Sequence, residues 1–176
     1  MSRKDYRDIL DLLYSSRQYT SVRSMQEKLL KPFLSKFGAE SGTFYVTDAT
    51  SPALSSDSIF TVNIAPRFVD EYCKHYYKIA PFFNAACKAT AYRDNDLMPH
   101  SNWERLEIFR DFRQPQDIYH EMDVYISEGN TLGVISIHRP RRSKAFSNRE
   151  LGKARVFARH FGILLRQCHK FVIFFC

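Results

Sequence analysis

Cysteine and histidine are the side chains most often recruited for metal binding or nucleophilic catalysis. In this chain of 176 residues they stand side by side at Cys73-Lys74-His75 and Cys168-His169. Neither place has a second pair at zinc-finger spacing, so both read as core or surface residues. Asp94-Asn95-Asp96 offers oxygen ligands for a hard cation, yet the distal Glu of an EF-hand loop is missing, and Asx turn chemistry accounts for the run equally well. There is no Gly-rich phosphate loop, no Gly-x-Ser-x-Gly elbow and no His-Glu-x-x-His. The expectation is therefore a protein with no catalytic residue, no metal site and no cofactor. A dispersed active site leaves no local motif. The alternative kept open is a small thiol-dependent redox enzyme using Cys73 or Cys87.

What the chain does concentrate is aromatic surface: Tyr72, Tyr76, Tyr77, Phe82, Phe83 and Tyr92, then Trp103, Phe109, Phe112 and Tyr119. Tyr and Trp join an apolar ring to a group that wants a hydrogen-bond partner, which suits a concave pocket for a small organic ligand. Core packing explains any one of them taken singly. As a set around the segment from Ile79 to His100, they nominate Tyr72, Tyr76, Phe82, Phe83 and Trp103 as ligand-binding residues.

Elements must hold such a pocket in place. Tyr6, Ile9, Leu10, Leu13 and Tyr14 recur at helical spacing after a Ser2 cap, and a second helical pattern runs from about Val22 to Phe37, where Pro32 should kink or split it before Gly38. Alternating runs at Thr43 to Thr47 and Ile59 to Ile64 read as half-buried strands. Pro66 opens a helix that Ile79-Ala80-Pro81 ends, and 81–100 reads as a long loop with at most a short helix. A capping box at Ser101-Asn102-Trp103-Glu104 predicts a further helix, stopped near Pro115. Gly129-Asn130 between two alternating runs predicts a tight antiparallel hairpin. Phe146 to Leu151 joins a capping box to a hydrophobic staple and so begins the last helix. The order predicts an α+β domain around an antiparallel sheet. On that last helix Ala154, Phe157, Ala158, Phe161, Leu164, Leu165 and Cys168 form an apolar arc. Arg155, Arg159, Arg166 and Lys170 form a basic stripe, and Val156 and Ile163 beside it suggest a helix partner, such as a second subunit.

Charge is lopsided. Residues 1–138 carry a net of −2 and residues 139–176 a net of +9, within a total of +7. A basic end of this kind meets phosphate, anionic lipid or an acidic partner, or is simply a solvated helix face, and direct nucleic-acid binding through it is a third reading. The polar start after Met1 predicts neither signal peptide nor anchor, and the last apolar run, Phe171 to Cys176, is far shorter than the roughly 20 residues of a membrane span, so a cytoplasmic chain with reduced thiols is expected.

Several segments in order resemble the N-terminal sensor region of LuxR-type bacterial transcription regulators. They are Tyr76-Tyr77-Lys78-Ile79-Ala80-Pro81-Phe82-Phe83, Asn102-Trp103-Glu104-Arg105 running into Phe109-Arg110-Asp111-Phe112, Leu132-Gly133-Val134-Ile135-Ser136-Ile137-His138-Arg139-Pro140, and Phe146-Ser147-Asn148-Arg149-Glu150-Leu151. The resemblance spans roughly Tyr6 to Cys168. It implies a GAF/PAS-like three-layer arrangement: a central antiparallel sheet, the first and last helices on one face, and pocket-forming helices and loops on the other. It further implies a single sensor domain over 1–170, a homodimer with contacts on the first and last helices, and DNA contact only through a helix-turn-helix, which is absent here. Where the branch that binds acyl-homoserine lactones carries Asp-Pro, this chain has Ala80-Pro81, and Arg67 and Phe68 stand where a tryptophan is expected. A different small molecule, or none, fits better than an acyl-homoserine lactone. The apolar tail 171–176 breaks the helical pattern before it, as expected of truncation or a frameshift.

Overall fold

A computed structural model describes residues 1–48, 54–80 and 90–173 of the chain. Within it, β1 (Ser41–Asp48), β2 (Ile59–Val62), β3 (Ala91–Arg93), β4 (His120–Glu128) and β5 (Thr131–Arg139) form one sheet in the order β2-β1-β5-β4-β3. Every neighbouring pair is antiparallel. The predicted hairpin is present: Glu128 pairs with Thr131 across Gly129-Asn130, and Gly129 takes a φ of 60°, which a residue with no Cβ adopts freely.

Side chains alternate across these strands, and both faces are covered. Phe44, Met122, Val124, Ile126, Ile135 and Ile137 point to one side, into a core made with α1 (Arg3–Ser16), α2 (Val22–Phe37) and α7 (Asn148–Ile173). Gly133 lets α7 approach closely, since a Cβ there would lie 2.6 Å from Leu165. Tyr45, Tyr125 and Val134 face the opposite side, where Trp103, Ile108 and Phe109 complete a second core. The α+β, GAF-like layering expected from the sequence is what the chain adopts.

Local expectations fared unevenly. The capping box at Ser147 and Glu150 forms, with Phe146 and Leu151 both buried behind it. Ser2 and Asp5 cap α1, but the helix is turned so that its apolar stripe divides: Ile9 and Leu12 are in the core, while Tyr6, Leu10 and Tyr14 are 54%, 63% and 76% exposed. Proline 32 does not split α2. It sits on the solvent side, where the carbonyl it frees can meet water, while Leu29, Leu30, Phe33 and Phe37 hold both halves on the sheet. The box predicted at Ser101-Glu104 does not form. The one-turn helix there, α6 (His100–Trp103), begins after Pro99 with no side-chain cap, and Glu104 instead accepts the Tyr119 hydroxyl at 3.0 Å. The strand β3 was missed because three residues are too few to show alternation.

The three helices behind the sheet are joined by a buried ion cluster. Lys153 Nζ on α7 donates to Asp8 Oδ2 on α1 at 2.7 Å and to the Lys36 carbonyl on α2, and Lys36 Nζ donates to Asp8 Oδ1 at 2.8 Å. Burial pushes the Asp8 carboxyl up, but the two lysine bonds override it and hold it below the usual carboxylate range. Asp8→Ala strands Lys153, which is only 4% exposed, as an unpaired buried charge. Urea denaturation is expected to show a loss of about 3 kcal/mol for this variant, and a much smaller loss when Asp8→Leu is combined with Lys153→Met.

Candidate ligand-binding cavity

The face of the sheet away from the three long helices carries Thr43 and Tyr45 from β1, Ile59 from β2, Glu121 from β4, and Ser136 and His138 from β5. Two helical segments close over it. The first is α3 (Pro66–Glu71), opened by Pro66 as predicted, which continues through a wide π turn (Tyr72–Tyr76) into α4 (Tyr77–Ile79) and contributes Phe68, Val69 and Tyr72. The second is a π-helical stretch (Ile108–Arg113) with a 3-10 turn (Gln114–Gln116), contributing Ile108, Phe112, Arg113 and Gln116. Between them lies a cavity of about 60 Å³. That is room for a few waters, well short of the 300 Å³ or more that drug-sized ligands occupy. The rings of Tyr72 and Phe112, 5.7 Å apart, narrow it from above.

One end of the cavity is charged. Arg113, 2% exposed, donates to Glu121 Oε2 at 2.7 Å and to Asp94 Oδ2 at 3.4 Å, and its guanidinium lies 5.1 Å over the Trp103 ring. Its Nε and Nη1 are buried with no hydrogen-bond partner, as is Oε1 of Gln116 beside it. A buried donor without an acceptor costs about 1–3 kcal/mol, so this end of the cavity is short of polar partners, an acceptor for Arg113 and a donor for Gln116. His138 closes the same end and shares it with a polar recess of about 150 Å³ lined by Ser41, Asn63 and Asp117 among others. Its Nδ1 lies 3.1 Å from the Ser41 hydroxyl. Burial, reinforced by the nearby Arg113 charge, pushes the His138 imidazole down to about 3. Burial and the neighbouring Glu121 charge push the Asp123 carboxyl well above the usual range.

The residues nominated from sequence separate here. Tyr72 lines the cavity; Tyr76 packs against the far side of Phe112, with ring centroids 4.8 Å apart. Trp103 is sealed behind Arg113, its Nε1 donating to the Asp94 carbonyl at 3.0 Å, so it supports the charged end without lining it. Phe82 and Phe83 lie outside the described residues, as do Cys87 and the side chains of Arg166, Cys168 and Lys170. The polar residues Arg113, Glu121, Ser136 and His138 were not nominated. The hairpin alternation puts the last three on one face and was legible; only the fold turns Arg113 toward them.

The basic end is largely engaged in folding contacts. Arg139 stacks 4.0 Å over Phe146 and bonds the carbonyls of Phe37, Gly38 and Lys144 together with Glu150. Arg142 pairs with Asp117 and Glu40, Arg149 with Asp5, and Lys153 with Asp8.

No protein-family model matches the sequence, and no curated protein is significantly similar to it. Solved structures do match. The chain is similar to the N-acylhomoserine lactone dependent LuxR family transcription factor CepR2 of Burkholderia cenocepacia at 12% identity, with a TM-score of 0.63 over 98% of this chain and 97% of that one. The fold is that of the LuxR-type ligand-binding domains. Escherichia coli SdiA in complex with octanoyl-rac-glycerol is similar at 13% identity and a TM-score of 0.67, covering 99% of this chain and 68% of that one. The GAF domain of a phosphoenolpyruvate-protein phosphotransferase from Coxiella burnetii is similar at 10% identity and a TM-score of 0.58, over 94% and 95% of the two chains.

His138 gives this site a signature in pH. Its folded form binds a proton only near pH 3, whereas in the unfolded chain it does so near 6.5. The stability it contributes is therefore complete above about pH 6.5 and is lost as pH falls toward 3. Denaturation of His138→Gln beside the parent at pH 7, 6 and 5 is expected to show a parent-specific loss approaching 1.4 kcal/mol per pH unit below 6.5.

Proposed function

We propose that this chain is a non-enzymatic sensing module that binds a small organic molecule on the outer face of its sheet and reports it through α7 to a DNA-binding module. The observation that carries the reading is the cavity between the sheet and the Tyr72 and Phe112 rings, with unpartnered buried donors on Arg113 at one end. The fold shared with CepR2 and SdiA supports it. The chemistry of the lining specifies the ligand class. Arg113 is already paired with Glu121 and faces Asp94, so its charge is matched and a further full anion gains little. A neutral acceptor such as an ester, amide or ketone carbonyl satisfies the free N–H groups, a hydroxyl or amide N–H satisfies Gln116, and an apolar tail displaces the Tyr72 and Phe112 rings. The pocket residues of the proposal are Tyr72, Phe112, Arg113 and Gln116. Tyr76 and Trp103 serve as supports, and Phe82 and Phe83 keep the role given them from sequence.

The two competing readings lose support. Burial and the Asp70 charge push the Cys73 thiol up, which leaves it a poor nucleophile at neutral pH. The pairing of Arg139, Arg142, Arg149 and Lys153 leaves less free charge for direct nucleic-acid binding than the composition suggests, so DNA contact is assigned to a separate helix-turn-helix.

Ligand-linked dimerisation belongs to the same proposal. Tyr6, Leu10 and Tyr14 form an exposed stripe on α1, and Ile163 on α7 is 56% exposed. Both features favour an interface between copies at the first and last helices. Leu10→Glu is expected to shift size-exclusion light scattering from dimer to monomer with the circular dichroism unchanged.

Thermal denaturation tests the ligand class. Octanoyl-rac-glycerol at about a hundred times its Kd is expected to raise Tm by roughly 5–10 °C, while octanoate, with the same tail and a charged head, has little effect. Equal shifts from both, or no shift from octanoylglycerol and from neutral acyl amides, would overturn the proposal.

A further inference from the structure

Three residues far apart in sequence meet at the edge of the sheet beyond the cavity. Asp94 opens α5 (Asp94–Leu97) directly after β3, His100 opens α6, and His120 is the first residue of β4. One oxygen or nitrogen from each lies within 4.8 Å of the other two, and Nε2 of His100 is 3.9 Å from Oδ1 of Asp94, too far for a hydrogen bond. Both ring nitrogens of His100 and Nδ1 of His120 are buried with no partner. His120 itself is only 8% exposed.

The tautomer of His120 is settled by its other nitrogen. Nε2 lies 3.2 Å from the Ser143 carbonyl, which can only accept, so Nε2 carries the hydrogen and Nδ1 presents a bare lone pair. A ring nitrogen anchored on a backbone carbonyl while the opposite one is free is the arrangement that orients a metal-binding histidine. The His100 ring is held flat on Tyr119, with centroids 4.7 Å apart, and stands at 90° to the His120 ring. Asp94 is fixed from behind: its Oδ2 accepts the Glu121 N–H at 3.0 Å and faces Arg113, and its Oδ1 accepts the Asn95 N–H at 2.8 Å. Asp94 and Glu121 share the single Arg113 charge, leaving one carboxylate in excess within this buried group.

From this convergence we infer that Asp94, His100 and His120 form a binding site for a zinc-type divalent metal ion, with a water as fourth ligand. Ligand atoms about 2.0–2.1 Å from a tetrahedral zinc lie roughly 3.3 Å apart, against separations of up to 4.8 Å here, so the three groups need to close by up to about 1.5 Å. Imidazole with carboxylate suits zinc and its first-row neighbours and does not suit calcium or magnesium. The His100 side chain is 19% exposed, against 2% for Asp94. Once bound, the metal would tie the turn after β3 to the start of β4, beside the residues that hold Arg113 at the end of the cavity. The inference rests on the local geometry and stands whether or not the cavity takes a ligand.

The test uses the untagged full chain with its cysteines blocked by iodoacetamide, and zinc chloride as the probe. Native mass spectrometry is expected to show one zinc per chain. Cobalt(II) is expected to give visible d–d absorption and to quench the fluorescence of Trp103, the single tryptophan, whose Nε1 bonds the Asp94 carbonyl. His100→Gln and His120→Gln should each weaken binding by at least about tenfold. His75→Gln, which removes the surface pair with Glu107, should leave it unchanged. His100 sits at a partly exposed helix start, so its variant remains informative if His120→Gln fails to fold by circular dichroism. No zinc adduct in the parent, or an adduct whose affinity His100→Gln leaves unchanged, overturns the site.

Discussion

The β4–β5 hairpin has to satisfy burial on both of its faces at once, and the rest of the molecule is arranged around that demand. Its side chains alternate between Met122, Val124, Ile126, Ile135 and Ile137 on one side and Glu121, Asp123, Tyr125, Ser136 and His138 on the other. The first set is apolar throughout and takes three long helices. The second mixes rings with ionisable groups, and such a face can be covered only by elements that bring matching charges and hydrogen bonds. A slip of one residue in register would exchange the two faces.

That demand explains Arg113. Covering a face that holds Glu121 and a carboxyl at Asp123 calls for a buried cation, and the π-helical stretch supplies one, supported by the Trp103 and Phe109 rings. The same guanidinium draws in Asp94 from the edge of the sheet. A single cation therefore links the cavity, the second core and the Asp94, His100 and His120 group. On the helix side the corresponding link is Asp8, which joins α1, α2 and α7 through Lys36 and Lys153. Each layer is thus closed by apolar area and pinned by buried ionic groups.

The basic end shows how composition can mislead. A net of +9 in residues 139–176 points to an outside partner. In the folded chain Arg139, Arg142, Arg149 and Lys153 instead answer acidic groups at Glu150, Glu40, Asp117, Asp5 and Asp8, most of them distant in sequence. The charge asymmetry along the chain is in good part a complementarity between its two ends.

Local signals settled most of the fold. The caps at Ser2 and Ser147, the Gly129-Asn130 turn and the alternating runs each act over a few residues, so the sequence alone determined α1, α2, α7, the hairpin and the α+β layering. Of the aromatic set, Tyr72 lines the cavity and Tyr76 packs on Phe112. The sequence could not rotate α1, because a stripe including Tyr6, Leu10 and Tyr14 is apolar whether it faces the core or solvent. Nor could it turn Arg113 into the cavity, set Trp103 behind it, or gather Asp94, His100 and His120 from three separate segments. Those placements depend on contacts between residues many positions apart, which exist only after the sheet has chosen its register, and so only the tertiary structure decided them.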